Sequence, residues 1–261
     1  MTLEGEGPRA ALVLAGARGA DDPLLAGTGL PTKALLPVAG RPMIDRVLDA
    51  LVASGLSGER VWVSGLPPDA SPPDVLPEGT RAAPAADGPA AALAAALRDG
   101  VPLPLLVTTA DHALLDEAIL ASFLVGARAS GAALCVGLAE RRVIEARFPQ
   151  TQRTYLRLAD ARLSGCNLFY LASPDALRAV EAWRRLEGYR KTPWRIAALL
   201  GPSVLLRYAL GRLSVDALFA RLSRLAGARV APVLLPQAHA AVDVDKPSDL
   251  ALAEAVLAGE A

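Results

Sequence analysis

The stretch AALVLAGARG (residues 10–19), followed by LPTKALLPVAGRPMIDRVLDAL (30–51), decides the reading of this chain. Residues 10–15 are apolar and read as a buried strand. Gly16 and Gly19 then open a loop that backbone can use to approach a ligand. In this loop the amides of Leu14, Ala15, Gly16, Ala17 and Gly19 are candidates to face phosphate oxygens, and Arg18 is either a phosphate clamp or a solvated cation. The spacing is neither G-x-G-x-x-G nor G-x-x-x-x-G-K-[ST], which argues against a dinucleotide fold and a Walker loop. Residues 42–54 begin with Pro at a first-turn position, and Met43, Ile44, Val47, Leu48, Leu51 and Val52 recur at helical spacing.

Working outward, VWVSG (61–65) reads as a strand and 66–88 as a loop with room for one short strand. DGPAAALAAALRDG (87–100) reads as a helix with a cap-like Asp87 and a stop at Gly100. LPLLVTTAD (103–111) is an apolar strand with an acidic end, followed by a helix over 116–130 and a strand over 132–140. Strands alternating with helices predict a three-layer α/β/α, Rossmann-like arrangement around a mainly parallel mixed sheet. Ligands on such sheets bind beyond the carboxyl ends of the strands. That rule places the 14–19 loop, Asp111 and, if 240–245 is a strand, Asp245 on one rim.

Past residue 150 the pattern changes. Residues 151–172 read as two strands joined by an Asp-containing turn, and 173–187 as a helix capped by Ser173. An arginine-rich helical insertion follows over 189–226, then a strand over 228–235 and a last helix from Pro247 or Ser248. No internal repeat is evident, and 1–261 is read as one domain that contains the insertion. The first reading of the insertion, with Arg190, Lys191, Arg195, Arg207 and Arg212, is a core helix hairpin with its arginines on the wet face. A dimer surface, a lid over an anionic acceptor and an interfacial membrane patch are the alternatives.

Composition narrows the function. Lys plus Arg and Asp plus Glu each number 27, so the net charge is zero and no general nucleic-acid surface is expected. Hydrophobic residues make up 52% but aromatics only 4%, so the core is expected to be built from Leu, Val and Ala. Cys135 and Cys166 fit neither zinc spacing nor a disulfide framework and are expected to be buried thiols. The acidic start MTLEGEGPRAA has no signal-peptide pattern, and no apolar run reaches the ~18–20 residues of a membrane span, so a soluble cytoplasmic protein is expected.

Against an arginine-rich background the chain has three lysines, Lys33, Lys191 and Lys246. A lysine kept at 33 suggests that a compact point charge is needed there rather than a planar fork. Asp111, in TTADHALL, closes a strand as a candidate metal ligand. His112 is read as a neighbour of the site, and His239 is given no role. AVDVDKPSDL (241–250) supplies Asp245, with Asp243 as second choice and Asp249 as first-turn charge.

LVLAGARG…LPTKALLPVAGRPM resembles the opening signature of the glycosyltransferase-A-like nucleotidyltransferases, which include the molybdenum cofactor guanylyltransferase and the sugar-phosphate and cofactor nucleotidyltransferases. The match from Lys33 to Met43 is almost residue for residue, with Thr32 where the family usually has Pro. Ala17 stands where a glycine is common, and Ala20 and Asp21 replace a Thr–Arg pair whose Arg helps hold the triphosphate in the family. The resemblance implies that Lys33, Arg18 and Asp111 carry catalysis and that Asp111 and Asp245 bind Mg²⁺. It further implies that Gly88 and Pro89 contact the base, and that Asn167, with Cys166 nearby, contacts the acceptor. The implied reaction moves a nucleotidyl group from an NTP, CTP or GTP foremost, to a phosphorylated small-molecule acceptor and releases pyrophosphate. The alternative is a catalytically weak nucleotide-binding regulatory or interaction protein on the same fold, motivated by the altered first loop. A nucleotide-sugar glycosyltransferase would need a D-x-D motif, and Asp243-Val244-Asp245 lies at the chain end rather than mid-sheet.

Overall fold

In a computed structural model, residues 7–16, 22–67, 76–189 and 192–260 are described. Strand β1 (Ala10–Leu14) is buried along its whole length, as a strand covered on both faces must be. Ala11 and Val13 face one apolar cluster, while Ala10, Leu12 and Leu14 face another. The alternation of side chains along a strand thus sorts a single run of small and branched residues into two cores.

The first core is closed by α1 (Met43–Ala53) and α3 (Glu117–Ser130), through Ile44, Val47, Leu48, Leu51, Ile119, Leu120 and Phe123. The second is closed by α2 (Pro89–Arg98), α5 (Ala176–Gly188) and α8 (Val215–Ala226), through Leu93, Ala96, Val180 and Phe219. Helices therefore cover both faces of the sheet, giving three layers.

The remaining strands are β4 (Val61–Ser64), β5 (Arg81–Ala83), β6 (Leu105–Thr109), β7 (Leu134–Glu140), β8 (Leu156–Arg157), β9 (Arg162–Leu171) and β10 (Val230–Leu235). A small ribbon pairs β2 (Pro37–Val38) with β3 (Arg41–Pro42). The main sheet runs β10-β7-β9-β6-β1-β4-β5, with β8 hairpinned onto β9. β6, β1, β4 and β5 are mutually parallel, and so are β7 and β10, whereas β9 is antiparallel to both its neighbours. The sheet is therefore mixed, and the carboxyl ends of β1, β4 and β6 form one rim.

Four details differ from the sequence reading. Residues 240–245 are not a strand: Ala238–Ala241 form a 3-10 turn, and the chain then runs extended to α9 (Pro247–Ala258). Val242 and Val244 are buried in a third cluster with Leu36, Val38, Met43 and Ala253, so apolar packing rather than a sheet ladder fixes this segment. Asp87 and Ser173 are not caps. Gly88 begins α2 without a side-chain cap, and α5 starts at Ala176 after a turn in which Ser173 contributes only its carbonyl.

The fourth concerns the hairpin of α6 (Pro193–Leu200) and α7 (Pro202–Ala209). In α7 only Val204 is buried, while Leu205 and Leu206 are exposed, so this helix does not keep its leucines inward. Arg221 of α8 donates to the carbonyls of Leu199 and Leu200 and pins the end of α6.

Candidate active site

The rim begins with bare backbone. Ala15 N–H donates to the Ser64 carbonyl at 2.7 Å, and Ala110 N–H to that of Leu14 at 2.9 Å, continuing the ladder past the strand ends. Gly65 has φ +90°, and a Cβ there would lie 2.6 Å from the Cα of Gly16. The turns after β1 and β4 therefore meet this closely only because residue 65 carries no side chain.

Thr32 attaches the lysine segment to this rim. Its buried hydroxyl donates to the Ala15 carbonyl at 3.3 Å and accepts from Ala34 N–H, capping a 3-10 turn over Lys33–Leu35. A proline at 32 could do neither, so the departure from the family pattern has a structural use here.

Lys33 is buried, and its ammonium donates to Asp111 Oδ2 at 2.7 Å, Asp245 Oδ1 at 2.5 Å and the Val244 carbonyl at 3.3 Å. Three acceptors match the three protons of an ammonium. Burial alone would push the Lys33 pKa down, but the two carboxylates outweigh it and hold the pKa above the ordinary 10.5. Asp111 closes β6, accepts a short hydrogen bond from the Thr109 hydroxyl, and its carbonyl accepts from Val244 N–H at 2.9 Å. That backbone bond brings Asp245 to the rim without any strand at 240–245.

A second layer lies behind this pair. Arg153, nearly buried, comes from the segment between α4 (Arg141–Arg147) and β8. It forms a short bond to the Asp243 carboxylate, donates to the Asp243 carbonyl at 3.1 Å and lies 3.8 Å from Asp249. Asp249 Oδ2 in turn accepts from Asp245 N–H at 3.3 Å. Burial, reinforced by the charges of Asp111 and Asp245, pushes the Asp243 pKa up against the pull of Arg153. Asp243 and Asp245 thus face different partners, as neighbours two apart on one strand face would not.

Asn167 completes the group. Its Nδ2 donates to Asp243 Oδ2 at 3.3 Å, and its φ of +50° falls where β9 shifts register against β7. Bulges of this kind re-aim a side chain, and a left-handed non-glycine residue costs energy that a site can justify.

The structure therefore unites Lys33, Asp111 and Asp245, and links Asn167 to them through Asp243. Leu14, Ala15 and Gly16 lie on the rim, whereas Ala17, Arg18, Gly19, Ala20 and Asp21 lie outside the described residues. Cys166 packs into the first core, where burial pushes its thiol pKa up, so it is a core thiol beside the site. Cys135 is likewise buried and free. Gly88 (φ +108°) and Pro89 start α2, and Glu187 of α5 sits against them, accepting from Ala90 N–H at 3.2 Å. Any base that uses this turn meets the Glu187 carboxylate.

Sequence reasoning missed Arg153 and the tether made by Asp249. It also gave His239 no partner, yet His239 Nε2 lies 2.9 Å from Asp116 Oδ2, while the other oxygen of Asp116 caps α3 at Ile119 N–H.

His112 is buried beside Asp111, with the Ala240 backbone next to its ring. Burial, opposed by Asp111 and Asp116, holds its pKa down at about 4 from an ordinary 6.5. Between those values the unfolded chain takes up a proton that the folded chain refuses, so stability falls as pH is lowered through the window, by up to about 3 kcal/mol. Urea unfolding at pH 7 and pH 4.5 should show a smaller acid loss in His112→Leu than in the native chain. An equal loss in both proteins would remove His112 from the account.

A lysine and two aspartates that converge beyond the carboxyl ends of parallel strands, beside side-chain-free turns, define an α/β protein with a rim suited to phosphates. Residues 11–194 match the MobA-like NTP transferase domain, and the chain belongs to that family. It is similar to a hypothetical transferase from Thermus thermophilus, with 36% identity over 94% of this chain and 100% of the other and a TM-score of 0.79. The fold also matches 2-C-methyl-D-erythritol 4-phosphate cytidylyltransferase from the same organism (20% identity, 95% and 98% coverage, TM-score 0.51). A CMP:2-keto-3-deoxy-manno-octonic acid synthetase complexed with CTP matches at 17% identity, 97% and 100% coverage and TM-score 0.57. None of the curated protein sequences matches the chain.

Proposed function

We propose that the protein is a nucleotidyltransferase that moves a nucleotidyl group from an NTP, CTP or GTP foremost, to a phosphorylated small molecule. The observation that carries this reading is the Lys33 ammonium shared by Asp111 and Asp245 at the rim. In the reaction, an oxygen of the acceptor phosphate forms a bond to the α-phosphorus, the bond from that phosphorus to the β-bridging oxygen breaks, and pyrophosphate leaves. Such transfers depend mainly on orientation and charge stabilisation, so no general base is needed. Lys33 offsets charge on the triphosphate, and the side-chain-free turns at Gly16 and Gly65 let phosphates approach backbone amides. Asn167 and Arg153 fix the acceptor side of the cluster by holding Asp243.

The residues fit a Mg²⁺ ion. Asp111 and Asp245 both reach the Lys33 ammonium, and the four aspartates of the cluster (111, 243, 245 and 249) outnumber its two cations, Lys33 and Arg153. No three His, Cys, Asp or Glu side chains among the described residues form a complete metal cage. Mg²⁺ takes one or two carboxylates and fills its other positions with water and phosphate oxygens. Bound by Asp111 and Asp245, Mg²⁺ would supply neutralisation of the phosphate charge.

The test is pyrophosphate release from each NTP with Mg²⁺ and a panel of sugar, polyol and cofactor phosphates. Release that requires one NTP and one acceptor class supports the reading. Mg²⁺-dependent nucleotide binding without release from any acceptor would instead favour a regulatory nucleotide-binding protein.

A further inference from the structure

The α6–α7 hairpin plays no part in the cluster around Lys33, and its surface runs opposite to that of an ordinary packed helix. Ten large hydrophobic side chains are exposed among the described residues, and four of them fall between 205 and 210. Leu205 is 37% exposed, Leu206 61%, Tyr208 43% and Leu210 58%. At about 100° per residue, Leu205, Ala209, Pro202, Leu206 and Leu210 sweep one arc of roughly 140°. Every member of this arc is exposed, and the single buried residue of α7, Val204, lies on the opposite side. The helix thus turns its apolar stripe to solvent.

Charge specifies what would cover it. The sequence from 188 to 215 contains five cations (Arg190, Lys191, Arg195, Arg207 and Arg212) and no Asp or Glu, in a chain whose net charge is zero. Arg207 and Arg212 are exposed beside the apolar arc. Tyr208 adds an amphipathic ring of the type that settles at lipid headgroup level. No described helix is long and apolar enough to cross a bilayer, which leaves docking at the surface. A second copy of this chain would bring the same excess of positive charge against itself, whereas an anionic bilayer complements both the leucines and the arginines.

We infer that the α6–α7 hairpin is a docking element for the surface of an anionic lipid bilayer, with Leu205, Leu206 and Leu210 inserted and Arg207 and Arg212 on headgroup phosphates. The hairpin follows α5, whose Glu187 touches the Gly88 turn. Docking would therefore hold that part of the rim near the membrane. The inference does not depend on the transferase reading.

The experiment is co-sedimentation of the full-length protein with equimolar phosphatidylglycerol–phosphatidylcholine vesicles and with phosphatidylcholine vesicles alone, with sizing of the free protein alongside. Binding is expected to the anionic vesicles only, and to weaken as salt shortens the reach of the charges. Leu206→Ser with Leu210→Ser should abolish it. Arg207→Gln with Arg212→Gln should weaken it by at least about tenfold, since each cation near such a surface contributes severalfold in partitioning. All four side chains are exposed, so circular dichroism and melting should be unchanged. The inference is overturned by equal sedimentation with both vesicle types, by none with either, or by anionic binding that survives both double variants. A dimer dissociated by the leucine pair, with no vesicle binding, would also overturn it and assign the face to a second copy.

Discussion

Lys33→Ala is expected to lower nucleotidyl transfer by at least about a hundredfold, the scale of removing one preorganised charge-stabilising donor from an active site. The ammonium is buried and has three acceptors, two of them the carboxylates of Asp111 and Asp245. Lys33→Arg should not restore activity, because a planar fork cannot replace a point charge with three converging partners. With Lys33 gone, Asp111 and Asp245 lose the ammonium they share, and millimolar Mg²⁺ should raise the melting temperature of Lys33→Ala more than that of the native protein. The sign of its pH dependence follows from the raised pKa. The stabilisation from Lys33 is complete below 10.5 and is lost only as pH rises beyond that value. Steady-state pyrophosphate release and thermal melts with and without Mg²⁺ check these points, and native turnover in Lys33→Ala would remove the lysine from the mechanism.

Arg153→Leu should have the largest effect on stability. Its guanidinium side chain is 9% exposed and is shared by Asp243 and by Asp249, whose side chain is 6% exposed. Removing one partner from a buried charge pair costs about 3–5 kcal/mol, because the remaining charge is left desolvated and unpaired. Asp243 already has a raised pKa, and losing Arg153 removes the main influence that lowers it. The variant should therefore hold a proton on Asp243 to higher pH than its unfolded chain does, and it should lose stability as pH rises above the ordinary carboxylate value of 3.8, compared at pH 5 and pH 8. Urea unfolding at both values reads the effect. A destabilisation under about 1 kcal/mol at pH 8 would mean that Arg153 does not support the rim.

Much of this could be read from local pattern. The apolar run of β1, the helical spacing of α1 and the acidic end of β6 are properties of short segments, and the structure places all three as read. Lys33 stood out because the chain otherwise favours arginine, and Asp111 because it ends an apolar strand. The rest depends on contacts far apart in the chain. Arg153 meets Asp243 ninety residues later, and nothing in QRTYLRL marks it as buried. Asp245 reaches the rim through one backbone bond from Val244 to Asp111, which a strand assignment for 240–245 could not express. The left-handed Asn167 follows from a register shift between two strands, to which a single sequence gives no clue. The α7 stripe shows the converse: the sequence identified a helical hairpin, but not which side of it faces water.

The most direct measurement is a calorimetric titration of the purified protein with each of the four NTPs, with and without Mg²⁺, repeated on Asp111→Ala. The account predicts tight, Mg²⁺-dependent binding of one NTP that is lost in Asp111→Ala. Failure to bind any NTP, or binding that ignores both Mg²⁺ and Asp111, would contradict it.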